Sequence, residues 1–389
     1  MSAHRQLLRT ILLGSIAALA IFPAGAQARR LTVLHSFAGS PGDGAYPYNN
    51  VTFDAAGNLY GAANLGGSAN SGAGFEIAPD GTETILHSFD GAAGGSDPNG
   101  GVTIDPKTGD LYGTTTFGGS GSCRNGCGVL YRLKQDGTYT VLHTFNVGKD
   151  GSWPVGCPVR DRKGNLYGVA TAAGPNGGGT VYEFSAAGKF AVLHAFADSD
   201  GFSPQGTLIR DGSGNLYGVT NSGGADEYGT VFALARDGTL ATLYSFTGGD
   251  DGGYPVGGLA RDQAGNLYGA TNLAGNGSTP YGTVFELAPD GTLATLYAFA
   301  GAMDGGFPEG NVLEIRGKIY GTTSWGGADE DGVVYGVDVA SRTETVLQSF
   351  SGKNGATPQA GLTRNSRYLY GTASGGGADD LGVVFRLKK

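Results

Sequence analysis

Three short motifs each recur seven times along the 389 residues, and this repetition limits the fold more than any other property of the chain. Leu/Ile-Tyr-Gly places its tyrosine at Tyr60, Tyr112, Tyr167, Tyr217, Tyr268, Tyr320 and Tyr370. A second motif ends in Phe37, Phe89, Phe145, Phe196, Phe246, Phe299 and Phe350. A third centres on Pro47, Pro98, Pro154, Pro204, Pro255, Pro308 and Pro358.

One unit reads as four strands. The first runs from Pro255 to Asp262, and a Gly265-Asn266 turn leads to Leu267-Tyr268-Gly269. A glycine-rich loop precedes Gly282–Leu287, and the Asp290-Gly291 turn makes a hairpin to Thr292–Phe299. Proline is tolerated at a strand's first residue, where no ladder bond is asked of its nitrogen. Four antiparallel strands in about 50 residues is the make-up of a propeller blade. The composition agrees: 74 glycines serve tight turns, and 37 Tyr and Phe supply strand and core.

The ends of the chain favour a closed ring over an open solenoid. Leu31–Phe37 is a lone fourth strand, and Gly382–Leu387 is a third strand with no fourth after it. Pairing the two removes exposed sheet edges. The fold expected is all-β: a seven-bladed β-propeller of four-stranded antiparallel blades over residues 29–389, closed by the N-terminal strand.

Residues 1–28 read as a signal peptide. Arg5 and Arg9 precede an apolar stretch, Ile11 to Phe22, too short for a typical membrane span, and two A-x-A sites end at Ala26 and Ala28. The expected location is secreted or periplasmic. Cleavage leaves 23 basic against 34 acidic residues, a net charge of −11. Such a chain lacks the Lys and Arg that nucleic acid or anionic lipid demands. No nucleic-acid partner and no membrane insertion after cleavage are expected. In an oxidising compartment Cys123 and Cys127 are a disulfide candidate closing a small loop. Cys157 is expected to be a buried thiol, with pairing to either of the others as the alternative.

The Leu-Tyr-Gly-x-Thr, Gly-Thr-Val-Phe and Leu-x-x-Phe units together resemble the GloVer tandem repeat of bacterial extracellular proteins. The resemblance covers essentially all of residues 29–389. It implies export and a propeller-like repeat, and it implies no defined activity. The family's anchored members carry C-terminal segments, whereas this sequence stops at Lys389, two residues past its last expected strand. A soluble product is expected on that ground.

Two loop sets are expected to share one face. One carries Asp-Gly-x-x-Pro and places Asp43, Asp150, Asp200, Asp251 and Asp304 there, with Tyr46, Trp153, Tyr254 and Phe307 before the proline. The other adds Phe117 and Trp325. Carboxylates and aromatic rings around one mouth suit a polar ligand with stackable faces, such as a carbohydrate. The competing reading is structural: Asp before Gly makes an Asx turn, and an aromatic before Pro packs on the next blade. Calcium is the cofactor such carboxylates would admit, but no EF-hand-like loop is present and none is assigned.

Catalytic residues are not assigned either. His35, His87, His143 and His194 occupy one repeated position on four different blades, which argues against a shared triad or histidine metal site. Three readings therefore stand. The favoured one is a non-enzymatic binding module for carbohydrate or a cell-envelope protein. The others are a structural extracellular protein and a hydrolase of esters, lactones or glycosides using acidic mouth residues.

Overall fold

The computed structural model describes residues 31–273 and 280–389. The leader expected over residues 1–28 lies outside the described residues. Among these there are seven four-stranded antiparallel sheets and one small two-stranded ribbon, Gly44–Ala45 with Leu65–Gly66. Blade four is typical. Phe202–Arg210, Leu216–Ser222, Thr230–Leu234 and Leu240–Ser245 pair in chain order, from the central channel outwards.

The last blade is composite. Thr363–Arg364, Tyr368–Ala373 and Val383–Lys388 supply three strands, and Leu31–Ser36 supplies the outer one. The closing strand runs antiparallel with Leu31 opposite Leu387, Val33 opposite Phe385 and Ser36 opposite Val383. The Phe37 N–H then donates to the Gly382 carbonyl at 3.0 Å. The ring expected from the two sequence fragments is the one observed.

Each repeated motif has a packing cause. The glycine of Leu-Tyr-Gly lies across the sheet from the aromatic of the third strand, as Gly218 does from Phe232. A Cβ on Gly218 would sit 2.7 Å from the Phe232 ring, so only glycine lets the ring lie over the strand. The tyrosine beside it serves a turn. Asp54 accepts the backbone N–H groups of Ala56, Gly57 and Asn58, and its second oxygen accepts from the Tyr60 hydroxyl at 3.1 Å. Asp161 with Tyr167, Asp211 with Tyr217 and Asp262 with Tyr268 repeat this pairing.

The outer-strand phenylalanine crosses to the next blade. Phe89 meets Tyr131 edge-on at 5.3 Å, Phe196 meets Phe232 at 5.1 Å, and Phe350 meets Phe385 at 5.2 Å. Such edge-to-face pairs contribute roughly 0.5–1.5 kcal/mol beyond their burial. The proline stitches the same seam on the channel side. Pro204 packs over Gly179 of the preceding blade, and the residue before it donates its N–H to Gly178 O at 2.9 Å.

Two local features depart from simple alternation. Every outer strand carries a bulge at the leucine before the position held by His, Tyr or, in the sixth blade, Gln348, as at Leu34 between Val33 and His35. Bulges re-aim the side chain that follows. The inner strand also starts differently from the expectation. Regular pairing begins two residues before the proline in Ser152–Arg160 and Phe202–Arg210, but only at Thr52, Val102, Ala260, Leu313 and Thr363 elsewhere. In those blades the residues after the proline turn partly to neighbouring inner strands, as when the Val312 N–H reaches Gly258 O at 3.3 Å.

Candidate binding site

The seven residues before the prolines share one uncommon backbone state. Tyr46, Asp97, Trp153, Ser203, Tyr254, Phe307 and Thr357 all have φ between 52° and 60°. Non-glycine residues rarely adopt positive φ, so the seam must hold them there. Each donates its N–H across the seam, from Tyr46 to Leu381 O at 2.8 Å through to Thr357 to Asp331 O at 2.8 Å. The result is a ring of side chains around one mouth of the channel.

Aromatic side chains cluster on that ring. Trp153 is 42% exposed and meets Phe117 edge-on at 6.4 Å. Phe307 and Trp325 lie 6.1 Å apart, with Tyr281 stacked on Trp325 at 5.3 Å. Tyr254 meets Tyr228 at 5.4 Å. Tyr46 and Phe117 line a hollow of about 520 Å³ between the first two blades. The structure thus brings Phe117 to Trp153, Phe307 to Trp325, and Tyr46 and Phe117 to one hollow. Tyr228 and Tyr281 were not singled out from sequence; they precede the glycine of the third-strand motif in their own blades.

The five aspartates are placed elsewhere. None lines the channel or the hollow. Asp43, Asp150 and Asp200 lie 3.1, 3.1 and 2.9 Å from the Nε2 atoms of His35, His143 and His194. Asp251 and Asp304 accept from the hydroxyls of Tyr244 and Tyr297 at 3.0 and 2.9 Å. Backbone N–H groups add to these: Ala38 to Asp43, Ala197 to Asp200, Thr247 to Asp251 and Ala300 to Asp304. Each carboxylate ties an outer strand to the loop that leaves it. The repeated His/Tyr position, the carboxylate and the bulge form one corner device. In the second blade Gly94 stands in the aspartate's place. There His87 stacks flat on Tyr139 at 4.0 Å instead, and burial lowers its pKa.

The channel has its own polar lining. A cavity of about 290 Å³ is walled by residues following the prolines, among them Tyr48, Asn99, Gln205, Glu309, Asn311 and Gln359. Glu309 Oε2 accepts from Gln359 Nε2 at 2.6 Å, and Oε1 accepts from Ser324 Oγ at 3.0 Å. Asn49 Nδ2 donates to Asn99 at 3.2 Å, and Asn311 Nδ2 to Thr207 at 3.2 Å. Burial, aided by the charges of Asp97 and Glu309, raises the Tyr48 pKa and keeps its hydroxyl a donor. Asp97, at the edge of the hollow, is pushed up to about 6 by burial while Asn64 donates to it. These lining residues were missed from sequence. The available signal was a column directly after the proline that varies from blade to blade while its neighbours repeat.

Cys123 and Cys127 are joined by a disulfide, with Cα atoms 5.1 Å apart. Cys157 is a free thiol in the channel wall, pushed up to about 11 by burial.

Comparison with known proteins comes at low identity. A search of curated protein sequences finds no match. Among solved structures, the extracellular domain of BT4673 from B. thetaiotaomicron is similar with a TM-score of 0.56 at 13% identity, covering 92% of this chain and 41% of that one. The chain therefore spans about two fifths of that protein's length. A proposed 6-phosphogluconolactonase from Bacteroides uniformis has a TM-score of 0.51 at 18% identity, covering 79% of this chain and 86% of that one. A chain of the mitotic checkpoint complex has a TM-score of 0.56 at 13% identity, covering 100% and 99%. These proteins differ in function, so the likeness establishes the propeller fold alone. The sequence model of the Gloeobacter/Verrucomicrobia repeat matches residues 119–315 and 263–389.

Proposed function

The chain belongs to the Gloeobacter/Verrucomicrobia repeat family, and from that premise we propose that it is an exported, non-enzymatic binding module for carbohydrate, taking a sugar at the aromatic-rimmed mouth of its channel. The observation that carries this reading is the pairing of an amide- and hydroxyl-lined cavity of about 290 Å³ with a rim of aromatic rings, Trp153 exposed and Tyr46, Phe117, Tyr254, Phe307 and Trp325 half-buried. Amide side chains donate and accept at once, as sugar hydroxyls do. Aromatic faces supply contact area for the apolar faces of a sugar ring. The volume stands at the small end for ligand pockets, which fits one sugar unit or the end of a glycan.

The hydrolase reading has weaker support. The aspartates that would serve it are engaged in loop corners, and Glu309 has both oxygens bonded in the channel wall. Screening the purified protein on an array of cell-envelope and environmental glycans tests the proposal. The expected result is a defined set of binders lost together in Trp153→Ala and Gln359→Ala. An array without binders, alongside capture of a specific envelope protein, would replace carbohydrate by a protein partner.

A further inference from the structure

At one corner of the ring a histidine-aspartate pair faces a second carboxylate. In the second and third blades the residue six before the outer-strand phenylalanine is a flat aromatic. Tyr139 stacks on His87 at 4.0 Å, and Phe190 stacks on His143 at 3.7 Å. In the fourth and fifth blades that position is Leu240 and Leu293. In the first blade it is Glu83, which faces His35 of the closing strand and Asp43 of the loop behind it. An apolar cover is thus replaced by a second carboxylate against a histidine-aspartate pair.

The geometry is that of a ligand set. His35 Nε2 lies 3.1 Å from Asp43 Oδ2 and 3.8 Å from Glu83 Oε2. One donor atom from each residue falls within 4.8 Å of the other two, and no other three His, Cys, Asp or Glu among the described residues do this. Metal bonds of about 2.0–2.1 Å in a tetrahedral site set donors ~3.3 Å apart, close to the 3.1 and 3.8 Å that His35 keeps to the two carboxylates. The side chains of His35 and Glu83 are 16% and 12% exposed, and Glu83 Oε1 is buried without any hydrogen-bond partner. A buried oxygen left without a partner is costly and calls for one.

We propose that His35, Asp43 and Glu83 bind a divalent transition-metal cation of the zinc type, which clips the N-terminal closing strand to the first blade. One imidazole and two carboxylates neutralise a dication and leave a fourth position open. Nitrogen with carboxylate oxygen suits such an ion, whereas calcium would ask for six to eight oxygens.

The molecule holds its own control. Glu344 covers Asp304 in the same way, but Tyr297 stands where His35 would be. A neutral phenol is a poor ligand, so no metal is expected there. The test is thermal unfolding and calorimetric titration of EDTA-treated protein with Zn²⁺ at pH 7.5. The expected result is one ion per chain, with the unfolding equilibrium shifted about 100-fold at a hundredfold excess over Kd. Glu83→Leu and His35→Tyr use residues found in sister blades, so both are expected to fold and to lose the shift. Glu344→Leu is expected to keep it. No shift in the unsubstituted protein, an undiminished shift in Glu83→Leu, or a lost shift in Glu344→Leu would each overturn the proposal.

Discussion

Phe37 and Phe75 meet edge-on at 5.2 Å, although one directly follows the closing strand Leu31–Ser36 and the other belongs to the first blade. Six other pairs repeat the contact between consecutive blades, and all span 5.1–5.3 Å. Phe37 is fully buried, as Phe246 is in mid-chain. The ring at its closure is therefore packed like the ring anywhere else.

Phe37→Ala is accordingly expected to cost about 3–5 kcal/mol, the same as Phe246→Ala. Urea denaturation of both variants checks this. A frayed terminus would instead make the Phe37 variant nearly neutral.

The glycine columns divide by cause. Gly218→Ala forces a Cβ to 2.7 Å from Phe232 and 2.8 Å from Leu208, and is expected to cost about 1–3 kcal/mol. Gly212 has no atom within 4 Å of such a Cβ and no positive φ. Gly212→Ala is expected to stabilise by about 0.4–1 kcal/mol. Chemical unfolding of the two variants side by side gives opposite signs.

Much of this ring was legible in the sequence because packing demands the same residue seven times. Phe, Pro and the glycine after Tyr recur since each contacts the neighbouring blade or the neighbouring strand in the same way. The outer-strand bulge was not legible, because a leucine at Leu34 looks like any strand leucine until its register is known. The aspartates drew attention because they recur. Recurrence reflected a shared corner bond, such as Asp251 to Tyr244, and pointed away from the channel. The channel residues Asn99, Gln205, Glu309 and Gln359 differ from blade to blade, since the lumen imposes no common packing.

That division has a consequence for Asp200. Its carboxylate holds His194 and the Ala197 N–H at 2.9 and 2.8 Å. Asp200→Ala is expected to cost about 1–3 kcal/mol by leaving these groups unpaired, with ligand affinity unchanged. Melting curves and a binding titration on one preparation separate the two roles.

Glu344 gives a signature in pH. Burial and then the charge of Asp304 push its carboxyl up to about 7, above the unfolded value of about 4.3. A raised folded pKa means a stabilising contribution fully present below the unfolded value and lost as pH rises through the folded one. Stability is expected to fall between about pH 4.3 and pH 7 on this account, and Glu344→Leu is expected to flatten that part of the profile. Urea midpoints across the range measure it.

Both tryptophans of the chain, Trp153 and Trp325, stand at the mouth, so tryptophan emission, excited selectively over tyrosine, reports on the proposed site. Titration with the glycans selected on the array is the most direct measurement. The account predicts a saturable change in emission, abolished in Gln359→Ala, which keeps both tryptophans. Glycan binding by calorimetry with no change in tryptophan emission would place the sugar elsewhere and contradict it.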